Sequence, residues 1–152
     1  MLRLSRLADY GVMVMAHVAA APAAVHTADA AAAATGLPGP TVAKLMAKLC
    51  RAGLLASQRG ARGGYSLSRE PQAMTVADIV SALDGPIALT QCSEHQPSAC
   101  DRENLCVSRR GIHKINSAIR QALESVSLAE LARPAYDFMQ PPAERPAASR
   151  PT

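Results

Sequence analysis

Apolar residues recur every three to four positions in the first third of the chain, a spacing that predicts helices. The apolar residues between positions 4 and 18 are predicted to lie on one face of an amphipathic helix. Thr27 is a residue type that begins helices, and the alanine-rich run behind it stops at Gly36, a residue type that ends them. A third helix is predicted over residues 40–52. Two short helices joined by a tight turn indicate a helix-turn-helix motif.

The pattern changes to alternation directly behind the third helix. Residues 54–59 and 65–68 are predicted to be short strands joined by the glycine-rich tip 60–64, and the hairpin carries Arg59 and Arg62. Such a hairpin by itself is an ordinary turn. Behind a helix-turn-helix it is typical of a wing, in which glycines let the backbone approach phosphates and arginines supply positive charge.

The second half is predicted to be helical as well, with one helix longer than the others. Thr75 caps a helix over residues 76–83, and Ser127 caps a short one over 128–131. The long helix, residues 107–126, carries a narrow apolar stripe of Ile112, Ile115, Ile119, Leu123 and Val126. This stripe either packs on its own domain or pairs with a second copy, and we expect a homodimer because DNA readers of this type usually bind as pairs.

Composition fits one domain with an aliphatic core, since the 152 residues are 49% hydrophobic but only 3% aromatic. The basic, apolar start imitates a secretion signal, which is the alternative to a first helix, but Asp9, Tyr10 and His17 interrupt it. No apolar run reaches the roughly 18 residues of a membrane span.

Residues 1–68 hold seven basic and two acidic side chains. The positive charge of the chain therefore lies beside the helix-turn-helix and indicates an anionic partner.

Three cysteines lie on a polar loop, separated by seven and by five intervening residues: Cys92, Cys100 and Cys106. In a reducing compartment such a trio indicates a metal site rather than a disulfide framework. Thiolates suit zinc and iron–sulphur clusters alike, and a redox disulfide pair is a third option that the spacing leaves open. The fourth cysteine, Cys50, is predicted to be a small buried residue of the third helix.

A site with three thiolates needs a fourth ligand, which the sequence does not identify. Three candidates lie inside the loop: His95, Asp101 and Glu103. His113 is seven residues past Cys106, roughly 10 Å along a helix at about 1.5 Å per residue, and is therefore expected to be poorly placed. Asp9 is distant in sequence but can reach the loop of a second subunit.

These motifs resemble the IscR/NsrR-type (Rrf-two) family of bacterial transcription regulators, over about residues 1–133. The resemblance rests on the LRLS start, the hairpin GLLASQRGARGGY at 53–65, the helix TVADIVSALDG at 75–85 and the three spaced cysteines. The stretches at 40–45, 85–92 and 126–131 look most like the branch that regulates SUF iron–sulphur assembly operons.

The resemblance implies a dimeric winged-helix repressor whose iron–sulphur cluster, [2Fe–2S] or [4Fe–4S], alters DNA binding. Cys92, Cys100 and Cys106 match the family's cluster cysteines, and Arg59 matches the wing arginine that enters the minor groove. The other expected DNA contacts are Thr41, Lys44, Lys48, Gln58 and Arg62.

The chain departs from the pattern of the IscR branch at two positions. The histidine ligand of the IscR branch falls on Arg109, which cannot ligate, whereas Asp9 matches the aspartate by which the nitric-oxide-sensing branch completes the cluster from the partner subunit. The glutamate that discriminates between operator types falls on Ala43, so cluster-gated choice between operator classes is not expected.

The resulting expectation is a mostly helical protein with a small β wing: a winged helix-turn-helix domain plus a long dimerisation helix. Its regulator domain covers 1–133, with the winged helix at 1–84, the cluster loop at 85–106 and the dimerisation helix at 107–126; a disordered tail covers 134–152. A structural zinc site and a cysteine disulfide switch are the alternatives to the cluster. No phosphate loop, Ser-His-Asp arrangement or paired-carboxylate motif indicates an enzyme or a small-molecule substrate.

Overall fold

The computed structural model describes residues 3–60, 63–90 and 106–133. The helices are α1 (Arg6–Ala20), α2 (Ala28–Thr35), α3 (Gly39–Arg51), α4 (Val76–Asp84), α5 (Arg109–Glu124) and α6 (Leu128–Leu131). The hairpin consists of β1 (Leu55–Gln58) and β2 (Gly64–Leu67), and a 3₁₀ turn at Pro71–Ala73 precedes α4. The predicted tail, 134–152, lies outside the described residues.

Side-chain caps fix where the helices begin, as the sequence predicted. The Thr27 hydroxyl accepts from the Ala30 amide at the start of α2, and Gly36 ends that helix in the left-handed conformation with φ 70°. Thr75 and Ser127 each form a reciprocal capping box at α4 and α6. The caps predicted at Thr27, Thr75 and Ser127 are therefore confirmed.

The core is aliphatic and lies between α1, α3 and α4. Its largest fully buried side chains are Met15, Leu45, Met46, Leu49, Leu55, Met74, Ile79 and Leu128. Gly11 lets α1 approach α4 closely, because a Cβ at this position would lie 2.0 Å from Leu83 Cδ1. The Ser5 hydroxyl joins the same two helices by donating to Asp84 Oδ1 over 2.6 Å. Helices α1 and α4 are therefore closely packed against each other.

The wing is an antiparallel pair that is joined to the helical core by a bridge the sequence did not predict. Ser57 faces Tyr65 and Gln58 faces Gly64 in its register. Tyr65 also exchanges two backbone hydrogen bonds of 2.8 Å with His26, which precedes α2. The His26 ring is buried, and its Nε2 lies 3.1 Å from the Ala21 carbonyl oxygen. The link between α1 and α2 therefore supports the base of the wing.

The long helix α5 is attached to the domain by its C-terminal half. Leu123 and the following Val126 pack against Ala8 of α1 and the Val76 and Val80 side chains of α4. Toward the other end, Ile115 is 50% exposed. The predicted stripe is thus covered by its own domain at one end and open at the other. None of the helices in the described part of the chain has the length and apolar character needed to cross a membrane.

Asn116 is the buried residue of α5, and it holds the chain that follows α4. Its Oδ1 accepts from the Leu89 amide over 3.0 Å, and its Nδ2 donates to the Ile87 carbonyl over 3.3 Å. Both halves of the amide are satisfied, which offsets the cost of burying it. Residues 87–89 are consequently fastened to α5 by these two hydrogen bonds.

The surroundings of His17 make the stability of the fold dependent on pH. Their ring centroids are 5.3 Å apart, and the pKa of His17 lies below its ordinary value of 6.5 because burial disfavours its charged form and His26 repels it. Below about pH 6.5 the unfolded chain binds a proton that the folded chain resists, so the free energy of unfolding falls as the pH is lowered.

We expect His17→Gln to reduce this fall in the free energy of unfolding, measured by urea unfolding at pH 7.5 and 5.5. An equal fall in both proteins would contradict this assignment.

Candidate nucleic-acid interface and cysteine site

The outward face of α3 carries the cations that the sequence placed there. Gly36 turns the chain after α2, and Pro40 stands in the first turn of α3. The inward side chains of α3 are buried in the core, whereas Lys44 and Arg51 are exposed and Thr41 is half-buried. The second helix of the helix-turn-helix therefore presents a basic surface to solvent.

The wing places further polar side chains beside this surface. Gln58 and Arg59 are exposed where β1 ends, and Gln58 Nε2 lies 3.5 Å from Ser66 Oγ on β2. Gly63 is required by close approach, since a Cβ there would lie 2.5 Å from the Gln58 carbonyl oxygen. Arg62, the second predicted wing arginine, lies outside the described residues.

Lys48 has a contact within the domain that the sequence did not indicate. It is half-buried on α3, and its Nζ donates to the carbonyl oxygen of Leu83 in the last turn of α4. A cation at a helix C-terminus satisfies a free carbonyl and is favoured by the helix dipole. A DNA contact by Lys48 stays a prediction, whereas its bond to α4 is a feature of the fold.

Of the three clustered cysteines, the structure describes Cys106. Its thiol is free and exposed, three residues before α5 begins. Cys92 and Cys100 lie outside the described residues. Cys50 is half-buried on α3 and packs against the core, in keeping with its predicted structural role. Within 3–60, 63–90 and 106–133, no three His, Cys, Asp or Glu side chains form a group able to hold a metal.

Asp9 is exposed near the start of α1, where it lines a surface depression with Arg3, Arg6 and Tyr10. This part of α1 packs against the far end of α5 from Cys106, through Ala8 and Leu123. From Arg109 to Leu123, α5 rises about 20 Å at 1.5 Å per residue. Within one protomer, Asp9 therefore lies toward the end of α5 that is opposite to Cys106.

His113 lies on the second turn of α5. Its Nε2 is buried and has no hydrogen-bond partner. An unpartnered imidazole nitrogen and an exposed thiol, both on or beside the first two turns of α5, are donors that zinc and iron accept. The donor chemistry at this end of α5 is therefore compatible with a cysteine-bound metal or cluster.

A basic second helix with an adjoining two-stranded wing defines a winged helix-turn-helix regulator of transcription. A family model described as "Rrf2: Iron-dependent Transcriptional regulator" matches residues 4–134. The chain belongs to the Rrf2 family of transcriptional regulators, and it is not an enzyme. The predicted class of protein is thus confirmed.

Curated relatives support the same class. The chain is similar to the HTH-type transcriptional regulator IscR of Aliivibrio salmonicida, with 35% identity over 58% of this chain and 51% of that protein. It is also similar to the HTH-type transcriptional regulator CymR of Bacillus subtilis, with 37% identity over 59% of each protein. In these alignments the chain spans about half to three fifths of the relatives' length.

Solved structures confirm the fold. CymR of B. subtilis, described as the global cysteine regulator, matches with 32% identity and a TM-score of 0.68, over 87% of this chain and 97% of that chain. IscR of T. potens matches with 29% identity and a TM-score of 0.70, over 92% and 93%. The predicted architecture, a mostly helical winged helix-turn-helix with a two-stranded wing and a C-terminal helix, is therefore correct.

The different surroundings of Lys44 and Lys48 generate a paired prediction. We expect Lys44→Ala and Arg59→Ala to weaken binding to a random-sequence duplex and to lower the salt slope of that binding by about 1 each, with an unchanged melting temperature. We expect Lys48→Ala to lower the free energy of unfolding by about 1 kcal/mol, because the Leu83 carbonyl loses its donor. Salt-dependent DNA binding and urea unfolding of the three variants test this. Equal stability of the Lys44 and Lys48 variants would contradict it.

Proposed function

We propose that this chain is a cytoplasmic, homodimeric repressor of iron–sulphur assembly genes of the SUF type. Its DNA binding is modulated by an iron–sulphur cluster held by Cys92, Cys100 and Cys106. The observation that carries the proposal is the basic face of α3 beside the wing, in a chain whose family model is described as iron-dependent. The resemblance of residues 85–92 to the SUF branch supports the choice of target genes.

On double-stranded DNA, α3 enters the major groove and the wing follows the backbone. Thr41 and Lys44 are directed at the major groove, and Arg59 is directed at the minor groove, where a narrow A·T-rich sequence concentrates negative potential. Lys48, Gln58 and Arg62 complete the proposed contacts. Phosphate contacts by the cations fix the register of the protein, and base contacts by α3 give it sequence preference.

In the proposed cysteine site, Cys106 lies three residues before α5. When bound, an iron–sulphur cluster supplies a centre that is sensitive to oxidants and to iron supply. The chain leaves α4, is fastened at Leu89 by Asn116, and returns at Cys106 before α5. Cluster binding between these two points would therefore act on α5 and on the C-terminal end of α4, to which Lys48 of the recognition helix is bonded.

Two subunits pair through the open half of α5 in this proposal. Ile115 is exposed there, and Ile112 is only partly buried. A symmetric pair of these helices covers both side chains and places two copies of α3 on a two-fold operator. The resemblance predicts that Asp9 of the second copy completes the cluster, and the separation of Asp9 from Cys106 within one protomer is consistent with that arrangement.

The two described cysteines provide a matched test of the metal site. We expect Cys106→Ser to lose the iron, the labile sulphide and the visible absorption of anaerobically reconstituted protein, whereas Cys50→Ser retains them, because Cys50 packs against the core. We also expect the affinity for an operator selected from a random library to change about fivefold or more between loaded and unloaded wild-type protein.

Three results would contradict the cluster proposal. Colourless wild-type protein with stoichiometric zinc would establish a structural zinc site. Metal-free protein whose DNA binding responds to a mild oxidant would establish a disulfide switch. Equal operator affinity with and without the cluster would show that the cluster does not modulate DNA binding.

Pairing through α5 is tested by a charge at its exposed apolar position. We expect Ile115→Asp to raise the dimer dissociation constant at least about tenfold, since burial of an isoleucine contributes about 1.5–3 kcal/mol. Ser117→Asp, on the same helix and also exposed, is the control and is expected to leave the dimer intact. Analytical ultracentrifugation measures both, and an undisturbed Ile115→Asp dimer would exclude this surface.

A further inference from the structure

His26 is a buried polar residue in the link between α1 and α2, with 8% of its surface exposed. Its Nε2 lies 3.1 Å from the carbonyl oxygen of Ala21, the residue that ends α1. Because a carbonyl oxygen only accepts, Nε2 is the donor in this bond. The ring of His17, in the last turn of α1, stands edge-on to the same imidazole at a centroid distance of 5.3 Å. The side chain of His26 is therefore fixed to the C-terminal end of α1.

The backbone of the same residue holds the wing. The His26 amide donates to the Tyr65 carbonyl, and the Tyr65 amide donates to the His26 carbonyl, each over 2.8 Å. Tyr65 lies on β2 and faces Ser57 on β1. At this level the link adds a third stretch of chain to the two-stranded hairpin. His26 thus connects α1, through its ring, with β2, through its backbone.

This connection meets the hairpin close to the wing arginine. Gly64 is the first residue of β2, and it faces Gln58, the residue that precedes Arg59. The link lies directly against Gly64, because a Cβ there would be 2.6 Å from the His26 carbonyl oxygen. The contact between link and wing is therefore made opposite the end of β1, from which Arg59 extends into solvent.

The base of the wing has a separate attachment. The Ser68 amide donates to the Leu54 carbonyl over 3.2 Å, and its hydroxyl donates to the Gly53 carbonyl over 2.5 Å. A two-stranded hairpin is only marginally stable by itself, so attachment at the base alone leaves the other end free to change direction. A second attachment removes that freedom before DNA binds, which lowers the entropy lost on binding.

We propose that His26 is a positioning residue for the wing, setting the direction in which Arg59 meets DNA. The inference rests on the proposed DNA contact of Arg59. The imidazole itself does not touch DNA in this arrangement, and its effect passes through the bridge to Tyr65. Contacts made by Lys44 are independent of it, because the inward face of α3 is held by the core.

The test measures how salt affects binding of the full chain to a random-sequence duplex. In the wild type, we expect Arg59→Ala to lower the salt slope by about 1. In His26→Leu, which has an apolar side chain of similar size and no donor, we expect a slope that is already lower by about 1. Arg59→Ala then has no further effect in that background, whereas Lys44→Ala still lowers the slope by about 1. A general loss of stability would not distinguish Arg59 from Lys44.

Three more variants separate the bridge from the ring. His26→Gln keeps a side-chain donor and is expected to restore the effect of Arg59→Ala. Gly64→Ala forces the link away from β2 without removing any buried atom, and we expect it to act like His26→Leu. It tests the bridge even if His26→Leu does not fold. Gly111→Ala, on α5, adds the same methyl group where no atom lies within 4 Å, and is the control with an unchanged slope.

Contrary results fall into two groups. An Arg59→Ala effect of wild-type size in both His26→Leu and Gly64→Ala would overturn the inference and leave the DNA contact standing. Equal loss of the Arg59 and Lys44 contributions in His26→Leu would also overturn it, since the change would then affect the whole domain. If Arg59→Ala leaves the slope of the otherwise wild-type protein unchanged, the proposed contact is wrong and the inference is removed with it.

Discussion

The pair of hydrogen bonds made by the Asn116 side chain is the constraint on which the cysteine half of the structure depends. The helix that carries it, α5, is otherwise largely exposed over its first half, so burial of apolar surface does not fix the preceding chain there. A buried amide with both its donor and its acceptor satisfied specifies one register, because a shift of one residue would leave both unpaired. Residues 87–89, which precede the cysteine-bearing segment, are therefore held at a defined position along α5.

The C-terminal end of α4 connects this constraint to the DNA-binding half. Lys48 of α3 donates to the Leu83 carbonyl, and the Ser5 hydroxyl donates to the neighbouring Asp84. Gly11 lets α1 pack against the Leu83 side chain. The recognition helix, α1 and the chain leading to the cysteines are thus all connected to the C-terminal end of α4. A shift at this end of α4 would be passed to α3 through the Lys48 bond, which is the route that the proposed regulation would use.

The elements were predictable from the sequence because their signals are local. The caps at Thr27 and Ser127 bond amides three residues further along the chain, and the apolar spacing that indicates a helix is recognisable within two turns. What the sequence did not reveal depends on contacts between distant positions: the bridge of His26 to Tyr65, the bond of Lys48 to α4 and the amide of Asn116. The same reason explains the site residues. Lys44 and Lys48 were both expected to contact DNA, because the sequence alone cannot show that a lysine one turn after Lys44 is engaged by another helix.

The position of His113 next to the exposed Ile115 has a consequence for how metal and partner relate. Both residues lie in the half of α5 that its own domain leaves open, within about 3 Å of axial rise of each other. In the proposed dimer, a ligand bound at this half of α5 and pairing through it would each change the affinity for the other by the same factor. Subunit association and occupancy of the proposed cysteine site would then be linked through one short stretch of helix. The linkage needs no movement of the core, because the other half of α5 remains anchored by Leu123 and the adjoining Val126.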